Sequence, residues 1–245
     1  MIILGDIGNT ETKICLVKNN KIIKKFLIPS KVKKKNILNK HFKKFNFTKL
    51  NKILFCSVVP STFKEIKNYF KKKTKIKCFE LKELNLRSIL RIDVNYKQVG
   101  SDRLANAISV SAKNKNFIIL DFGTATTFDV LIGNNYKGGI ISPGINLSLN
   151  TLSDKASLIP RVNLKKISKV IGKDTKSAVR SGFFWGYAGL IDNLINLIKK
   201  ETKKSFQVII TGGFSELFKN SIKIKTKQNF DITINGLIKA SKLIR

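Results

Sequence analysis

Short apolar runs separated by turn residues open the chain and predict a strand meander. Residues 2–4 are apolar, a polar stretch follows, and a second apolar run covers residues 14–17. Asn19-Asn20 marks a turn before residues 21–28, in which lysines alternate with apolar side chains. Apolar runs of this kind, bounded by Asn and Gly, are typical of strands joined by hairpins. We therefore expect three hairpin-joined strands at the start of the chain.

Helices and further strands alternate after this meander. Pro60-Ser61 marks the start of a helix, and Gly-Ser-Asp-Arg at residues 100–103 opens another. A helix is also expected after Pro143-Gly144. The helix after Pro60-Ser61 is predicted at 61–71 and the one after residues 100–103 at 104–112. Two further helices are predicted at 31–45 and 183–199, and the remaining predicted strands are 52–58, 76–79, 128–132 and 208–211. Strands that alternate with helices indicate an α/β protein.

The opening pattern occurs a second time in the middle of the chain. Asp121 and Gly123 follow Asp6 and Gly8 by 115 positions each, and each pair ends an apolar run and precedes another strand. An Asn-rich turn follows in both copies, at residues 19–20 and 134–135. We therefore predict an α/β fold of two duplicated lobes with a central cleft. The N-terminal lobe is expected to span residues 1–114 and the C-terminal lobe residues 115–245.

Bulk composition supports a packed core and excludes several classes of protein. The chain has 245 residues, of which 42% are hydrophobic and 26% charged. No apolar run reaches the roughly 18 residues that a membrane helix needs, and the N-terminus has no basic leader. A cytoplasmic protein without a membrane partner is expected. Three scattered cysteines and a single histidine make a disulfide framework or a zinc site improbable.

The formal net charge of +33 raises the question of nucleic-acid binding. Lysines are spread through the whole chain with many Asn and Ile, whereas there are six arginines, the residue that best reads bases. This pattern is what A+T-rich coding would produce. A dedicated nucleic-acid surface would instead need a localised basic stripe. We expect no specific nucleic-acid partner.

The first polar turn, DIGNTETK at residues 6–13, is suited to phosphate binding. Glycine permits close backbone approach, and the hydroxyl and amide side chains can donate to phosphate oxygens. Asp6 could hold Mg²⁺, and Lys13 could offset phosphate charge. An ordinary Gly-Asn hairpin would look the same in isolation. The hydroxyl-rich second copy, DFGTATT at residues 121–127, favours a nucleotide held from two sides, without the Walker A pattern.

Two further segments could complete such a site. Asp102 lies at a predicted helix start beside Arg103, where it is either a first-turn acid that favours the helix dipole or a general base. Gly212-Gly213, after a predicted strand, is either a plain turn or a surface on which an adenosine lies flat.

Taken in order, these segments resemble the type III pantothenate kinase family. The segments that match are DIGNTETK (6–13), GSDR (100–103), DFGTATT (121–127), GGIISPG (138–144), GKDT (172–175), SGFFWGYAGLID (181–192), TGG (211–213) and the tail 231–237. The resemblance implies two ribonuclease-H-like lobes of the sugar kinase, actin and heat-shock ATPase superfamily. It also implies a homodimer that phosphorylates pantothenate with ATP, the first step of coenzyme A synthesis.

The resemblance also implies roles for individual residues. Asp102 would be the proton acceptor, and Asp121 would hold a monovalent cation such as K⁺ or ammonium. The residues implied to bind ATP with Mg²⁺ are Asp6, Ile7, Gly8, Asn9, Thr10, Glu11, Thr12, Lys13 and Thr124. The residues implied to contact pantothenate are Gly100, Ser101, Asp102, Arg103 and Thr175.

One segment departs from the family pattern. Where the family often has a tyrosine followed by Asn-Pro, this chain has Asp93 and then Val94-Asn95. Asp93 therefore stands where the family tyrosine forms a wall of the pantothenate pocket, and Tyr96 is not assigned to that role. Two other functions stay open from the residues alone: another small-molecule kinase of the same fold, and a regulatory or nucleic-acid-binding relative.

Overall fold

The computed structural model describes residues 1–30, 34–43 and 45–244. The strands are, in chain order, β1 (Ile2–Ile7), β2 (Glu11–Lys18), β3 (Lys21–Pro29), β4 (Lys52–Ser57), β5 (Cys78–Glu80), β6 (Arg91–Ile92), β7 (Asn116–Phe122), β8 (Ala125–Ile132), β9 (Asn135–Pro143), β10 (Gln207–Gly212) and β11 (Thr226–Gln228). The helices are α1 (Lys34–Phe42), α2 (Pro60–Lys73), α3 (Ser101–Val110), α4 (Ile145–Lys155), α5 (Thr175–Thr202), α6 (Ser215–Phe218) and α7 (Ile232–Ala240). None of these helices is both long and apolar enough to cross a bilayer.

The chain divides into two compact units. Unit 1 contains residues 1–111, residues 134–136 and the end of the chain from Asp231. Unit 2 contains residues 112–133 and 137–230.

Unit 1 is built on a sheet of order β3-β2-β1-β4-β5. The first three strands form the predicted antiparallel meander, and β4 and β5 add to it in parallel. The register places Asp6 of β1 opposite Lys13 on one side and Cys56 of β4 on the other. Because parallel strands end at the same sheet edge, the last residues of β1, β4 and β5 lie at one edge.

The sheet of unit 2 repeats this arrangement with the order β9-β8-β7-β10-β11. The short β6 pairs with the first residues of β9, Asn135 and Tyr136, which belong to unit 1. β7 pairs antiparallel with β8 and parallel with β10, as β1 does with β2 and β4. Asp121 lies opposite Thr127 and Thr211, the counterparts of Lys13 and Cys56. The repeated strand order confirms the duplicated α/β fold predicted from the two copies of the opening pattern.

Each unit has its own apolar core. In unit 1 the strands β1 to β4 pack against α1 and α2 through a cluster that includes Ile3, Phe55 and Phe70. In unit 2 the buried face of α5, with Phe184 and Ile191, packs against the sheet. Burying one such side chain fully contributes about 1.5–3 kcal/mol. All three cysteines are buried and free, as expected for small apolar side chains.

The C-terminal segment differs from the predicted division at residues 114 and 115. Helix α7 packs against α3 in unit 1, so closely that a Cβ on Gly236 would lie 1.8 Å from the carbonyl oxygen of Ala105. The hydroxyl of Thr233 also donates to Asn106 Oδ1 at 2.8 Å, and both side chains are buried. Contacts between segments more than 120 residues apart leave no local pattern, so the sequence did not indicate them.

Several element bounds are also longer or shorter than predicted. The helix expected at 31–45 is Lys34–Phe42, with residues 31–33 and 44 outside the described residues. Helix α5 starts at Thr175 and not at 183, because Asp174 caps it in a capping box with Ser177.

Candidate functional site

The first predicted phosphate turn, residues 6–13, runs from the end of β1 into β2 in unit 1. Asp6 is half-buried there, and the exposed turn residues Asn9 and Thr10 follow it. The Gly8 N–H donates to the carbonyl oxygen of Glu11 at 3.0 Å, which closes the turn. Ile7 and Thr12 are fully buried. Neither residue therefore presents accessible surface at this turn.

Ser30, at the end of β3, supports this turn from the side. Its hydroxyl donates to the carbonyl oxygen of Gly8 at 2.6 Å, and its N–H donates to that of Thr10 at 2.8 Å. No sequence pattern singled out Ser30, because the contact depends on the register of β2 against β3.

The segment Gly100 to Arg103 forms the first turn of α3. Gly100 is the N-cap, and no side chain caps the helix there. Asp102 Oδ1 accepts the Arg103 N–H at 2.8 Å. Burial raises the pKa of the Asp102 carboxyl, an effect that the Arg103 N–H and guanidinium oppose. Asp102 is thus a partly desolvated carboxylate at a helix start, a setting suited to a general base.

Cys56 lies beside Asp6 in unit 1, and the charge of Asp102 also acts on its thiol. Its sulfur lies 3.5 Å from Asp6 Oδ1 and 3.7 Å from the Gly5 carbonyl oxygen, so the thiol can donate to either. Burial, followed by the negative charges of Asp6, Asp102 and Glu80, raises the pKa of Cys56 well above its ordinary range. The charges of all three carboxylates therefore act on one neutral thiol. Sequence reasoning had missed Cys56 and Glu80.

The second predicted phosphate turn, residues 121–127 in unit 2, is enclosed by two glycines from other segments. A Cβ on Gly144, the N-cap of α4, would lie 2.2 Å from the carbonyl oxygen of Thr124. Gly212, at φ +86°, lies against the Phe122 backbone, and the Gly213 N–H donates to the Phe122 carbonyl oxygen at 3.1 Å. Asp121 is half-buried beside exposed Thr124. The segments 121–127, 138–144 and 211–213 thus meet in one place.

Thr175 lies in another part of unit 2. It is the first residue of α5, directly after the cap Asp174, whose pKa is lowered by hydrogen bonds from Ser177. Together with Leu158 and Pro160 it lines an open depression of about 510 Å³. Leu158 is 90% exposed. The residues that line this depression come from 157–160 and 174–176, and none belongs to the segments that meet at the second phosphate turn.

Asp93, which stands in the place of the family tyrosine, is a surface residue of unit 1. Its carboxylate accepts from Arg91 Nε at 3.1 Å, and its N–H donates to the Tyr136 carbonyl oxygen at 3.0 Å. Tyr96 instead donates its hydroxyl to the Lys82 carbonyl oxygen at 3.1 Å.

The described residues contain no group of three or more His, Cys, Asp or Glu side chains arranged to hold a metal ion.

Comparison with known proteins identifies the family. The sequence profile of type III pantothenate kinases matches residues 2–197. A type III pantothenate kinase of Pelagibacter ubique is 64% identical over 248 residues, which cover 100% of both chains. One from Sulfurihydrogenibium is 34% identical, covering 97% of this chain and 98% of the relative.

Solved structures show the same fold at low identity. A Campylobacter jejuni protein assigned to the Baf family of transcriptional activators has a TM-score of 0.66 at 21% identity, covering 98% of this chain and 97% of its own. A Sinorhizobium meliloti protein assigned as a 2-dehydro-3-deoxygalactonokinase has a TM-score of 0.62 at 9% identity, covering 100% of this chain and 99% of its own. The profile match and the full-length identity show that this chain belongs to the type III pantothenate kinase family.

Proposed function

We propose that this chain phosphorylates pantothenate with ATP to give 4′-phosphopantothenate, with Asp102 as the proton acceptor. The observation that carries the role of Asp102 is its position: a desolvated carboxylate in the first turn of α3, with the Arg103 N–H donating to its Oδ1. As the pantothenate hydroxyl oxygen attacks the γ-phosphorus, its proton passes to Asp102 and ADP leaves. General-base assistance of this kind typically contributes about 10²–10⁴-fold.

The two phosphate turns are the proposed ATP site. Residues 6–13 supply a glycine-containing turn with exposed Asn9 and Thr10, and Thr124 supplies an exposed hydroxyl in the second turn. Phosphoryl transfer needs mainly positioning and charge neutralisation at the γ-phosphate. Lys13, beside Asp6 in the β1–β2 ladder, contributes positive charge of this kind.

Asp6 is the proposed protein ligand of Mg²⁺. One carboxylate completed by substrate phosphates is a common way in which proteins hold Mg²⁺. The half-buried carboxylate at the end of β1 fits this mode. When bound, the ion would neutralise charge on the phosphates.

Asp121 is the proposed ligand of a monovalent cation, K⁺ or ammonium. Its carboxylate lies next to a turn whose carbonyl oxygens, from Gly123 and Thr124, face the side-chain-free Gly144. Carboxylate and carbonyl oxygens are the donors that hard cations prefer. When bound, the ion would add positive charge beside the phosphates.

We also propose that the protein is a homodimer formed through α5. Gly182, Gly186 and Gly189 are exposed and lie on one face of this helix, next to Trp185, which is 36% exposed. A Cβ on any of the three glycines would meet nothing within 4 Å among the described residues. Each glycine costs the helix about 1 kcal/mol relative to alanine. Packing within unit 2 does not require glycine at these positions, whereas close approach of a second α5 would.

The residues proposed to contact pantothenate are Gly100, Ser101, Asp102 and Arg103 in unit 1 and Thr175 in unit 2. The exposed position of Thr175, at the edge of an open depression, suits a residue completed by a partner subunit. We place the enzyme in the cytoplasm, because ATP is made there.

A coupled assay of ADP release tests the activity. Release should depend on pantothenate and stay near background with other small alcohols or sugars as acceptors. Equal turnover with another acceptor would favour a different small-molecule kinase of this fold. A nucleic-acid complex that survives about 0.15 M salt with preference for one sequence would favour a regulatory role, since non-specific binding weakens steeply with salt.

A further inference from the structure

Glu80 links the end of an edge strand to the first residue of α3. It is the last residue of β5, and its Oε2 accepts the Lys82 N–H at 2.6 Å. Its Oε1 accepts the Ser101 hydroxyl in a short hydrogen bond. Ser101 is only 2% exposed. Hydrogen bonds to a charged carboxylate are roughly twice as strong as neutral ones, so this contact is a firm link between the two segments.

Lys82 holds the chain just before α3. Its ammonium donates to the carbonyl oxygens of Lys97 at 3.2 Å and Val99 at 3.0 Å, and it lies 5.1 Å from the centre of the Tyr96 ring. The Tyr96 hydroxyl returns a hydrogen bond to the Lys82 carbonyl oxygen at 3.1 Å. We call Glu80 and Lys82, with these contacts to residues 96–101, the 80–82 clamp.

The 80–82 clamp holds the start of α3, which has no side-chain cap. Gly100 is the N-cap and has no side chain to accept the first free N–H groups, so the helix start is not fixed by the usual side-chain cap. Ser101 and Asp102 are neighbours in this first turn. A movement of Ser101 therefore carries the Asp102 carboxylate with it. The strand register pairs Glu80 of β5 with Phe55 of β4, and the next residue of β4, Cys56, with Asp6 of β1, so Glu80 and Asp6 lie at the same end of the sheet.

We propose that Glu80 is a positioning residue for phosphoryl transfer, which fixes the Asp102 carboxylate through its hydrogen bond to Ser101 while Lys82 fixes the preceding segment. This inference rests on the proposed role of Asp102. Glu80 itself touches neither reacting atom. Its effect is geometric, and a misplacement of about 1 Å at a catalytic group can cost about 10²-fold in rate.

Glu80→Ala and Ser101→Ala, made singly and together in the full-length protein, test the proposal. Each single change should lower kcat about 10- to 100-fold and leave KM for ATP within about twofold. The double variant should be no slower than the slower single variant, because both changes break one contact. Glu83→Ala is the matched control: Glu83 lies in the same turn but pairs with Lys67 at 3.1 Å, and its removal should leave kcat unchanged.

The same variants in an Asp102→Asn background show whether the effect passes through Asp102. Neither should then reduce the remaining rate further. Wild-type kcat in Glu80→Ala and Ser101→Ala, or losses that simply multiply in the double variant, would overturn the clamp proposal. If Asp102→Asn itself turned over normally, the proposed function of Asp102 would fail instead, so the two failures are distinguishable. Melting temperatures identify any variant that is unfolded at the assay temperature. If one of Glu80→Ala and Ser101→Ala is unfolded, the kcat of the other tests the clamp proposal.

Discussion

Gly100 and Asp102 are so close that a Cβ on residue 100 would lie 2.5 Å from Asp102 Oδ1. The backbone at Gly100, with φ −59° and ψ 140°, would accept any residue. The requirement for glycine therefore comes from the Asp102 carboxylate alone. This relationship explains in physical terms why a glycine stands two residues before the proposed base.

Gly100→Ala should therefore impair catalysis without impairing folding. The added methyl group must displace the Asp102 carboxylate, and we expect kcat to fall about 100-fold while KM for ATP and the melting temperature change little. Steady-state kinetics with both substrates varied, together with thermal unfolding, measure this. Normal kcat in this variant would mean that the carboxylate position is not critical.

Asp102→Asn should stabilise the protein at neutral pH. Burial raises the folded-state pKa of Asp102 above its unfolded value, so ionisation of this carboxyl opposes folding. That cost is absent below the unfolded pKa of about 3.9 and grows as the pH rises through the folded-state pKa. The variant should thus melt above the wild type at pH 8, and the difference should narrow as the pH falls toward the unfolded pKa. A variant that melts below the wild type at pH 8 would contradict the assigned direction of the pKa shift.

Activity should depend on a monovalent cation through Asp121. In sodium-only or Tris buffer the rate should be low, and K⁺ or ammonium should raise it. Asp121→Ala should abolish this response and most of the activity, because the proposed carboxylate ligand is lost. Asp154→Ala, which removes an exposed carboxylate paired with Arg161 in the same unit, is the control and should keep the salt response. Equal rates in Na⁺ and K⁺ would refute the assignment.

Gly186→Leu should convert the proposed dimer to monomers. The leucine side chain would occupy the space needed by a second α5, yet in an isolated helix leucine is better by almost 1 kcal/mol than glycine. Sedimentation should show half the wild-type mass for a folded protein. Lys71→Leu, an exposed substitution on α2, is the control and should leave the mass unchanged. A dimeric Gly186→Leu protein would exclude this face of α5 as the interface.

Most of the fold could be predicted from local patterns. The two acid-glycine turns, the hairpins that follow them and the helix starts at Pro60 and residue 101 depend on nearby residues, and the matched strand orders confirm the duplication. The placement of α7 in unit 1 could not be predicted, because it depends on a close contact between Gly236 and Ala105.

The candidate site likewise contains residues that a local sequence pattern predicts and residues that only contacts between distant segments bring together. Asp6, Asp102 and Asp121 were found because each follows or begins an element in a motif of recognisable composition. Glu80, Cys56 and Ser30 carry no such pattern, since parallel pairing and strand register bring them to the site. Sequence motifs thus identified the groups proposed to touch the substrates, and only the structure identified the residues that hold them.

The most direct test of the account compares wild type with Asp102→Asn in a coupled assay of ADP release, with ATP binding measured in parallel by calorimetry. Wild-type release should require pantothenate. The variant should bind ATP as the wild type does, because residues 6–13 and Thr124 are unchanged, and should release ADP about 10²–10⁴-fold more slowly. Near wild-type turnover in the variant would contradict the account and leave Asp102 as a first-turn acid of α3.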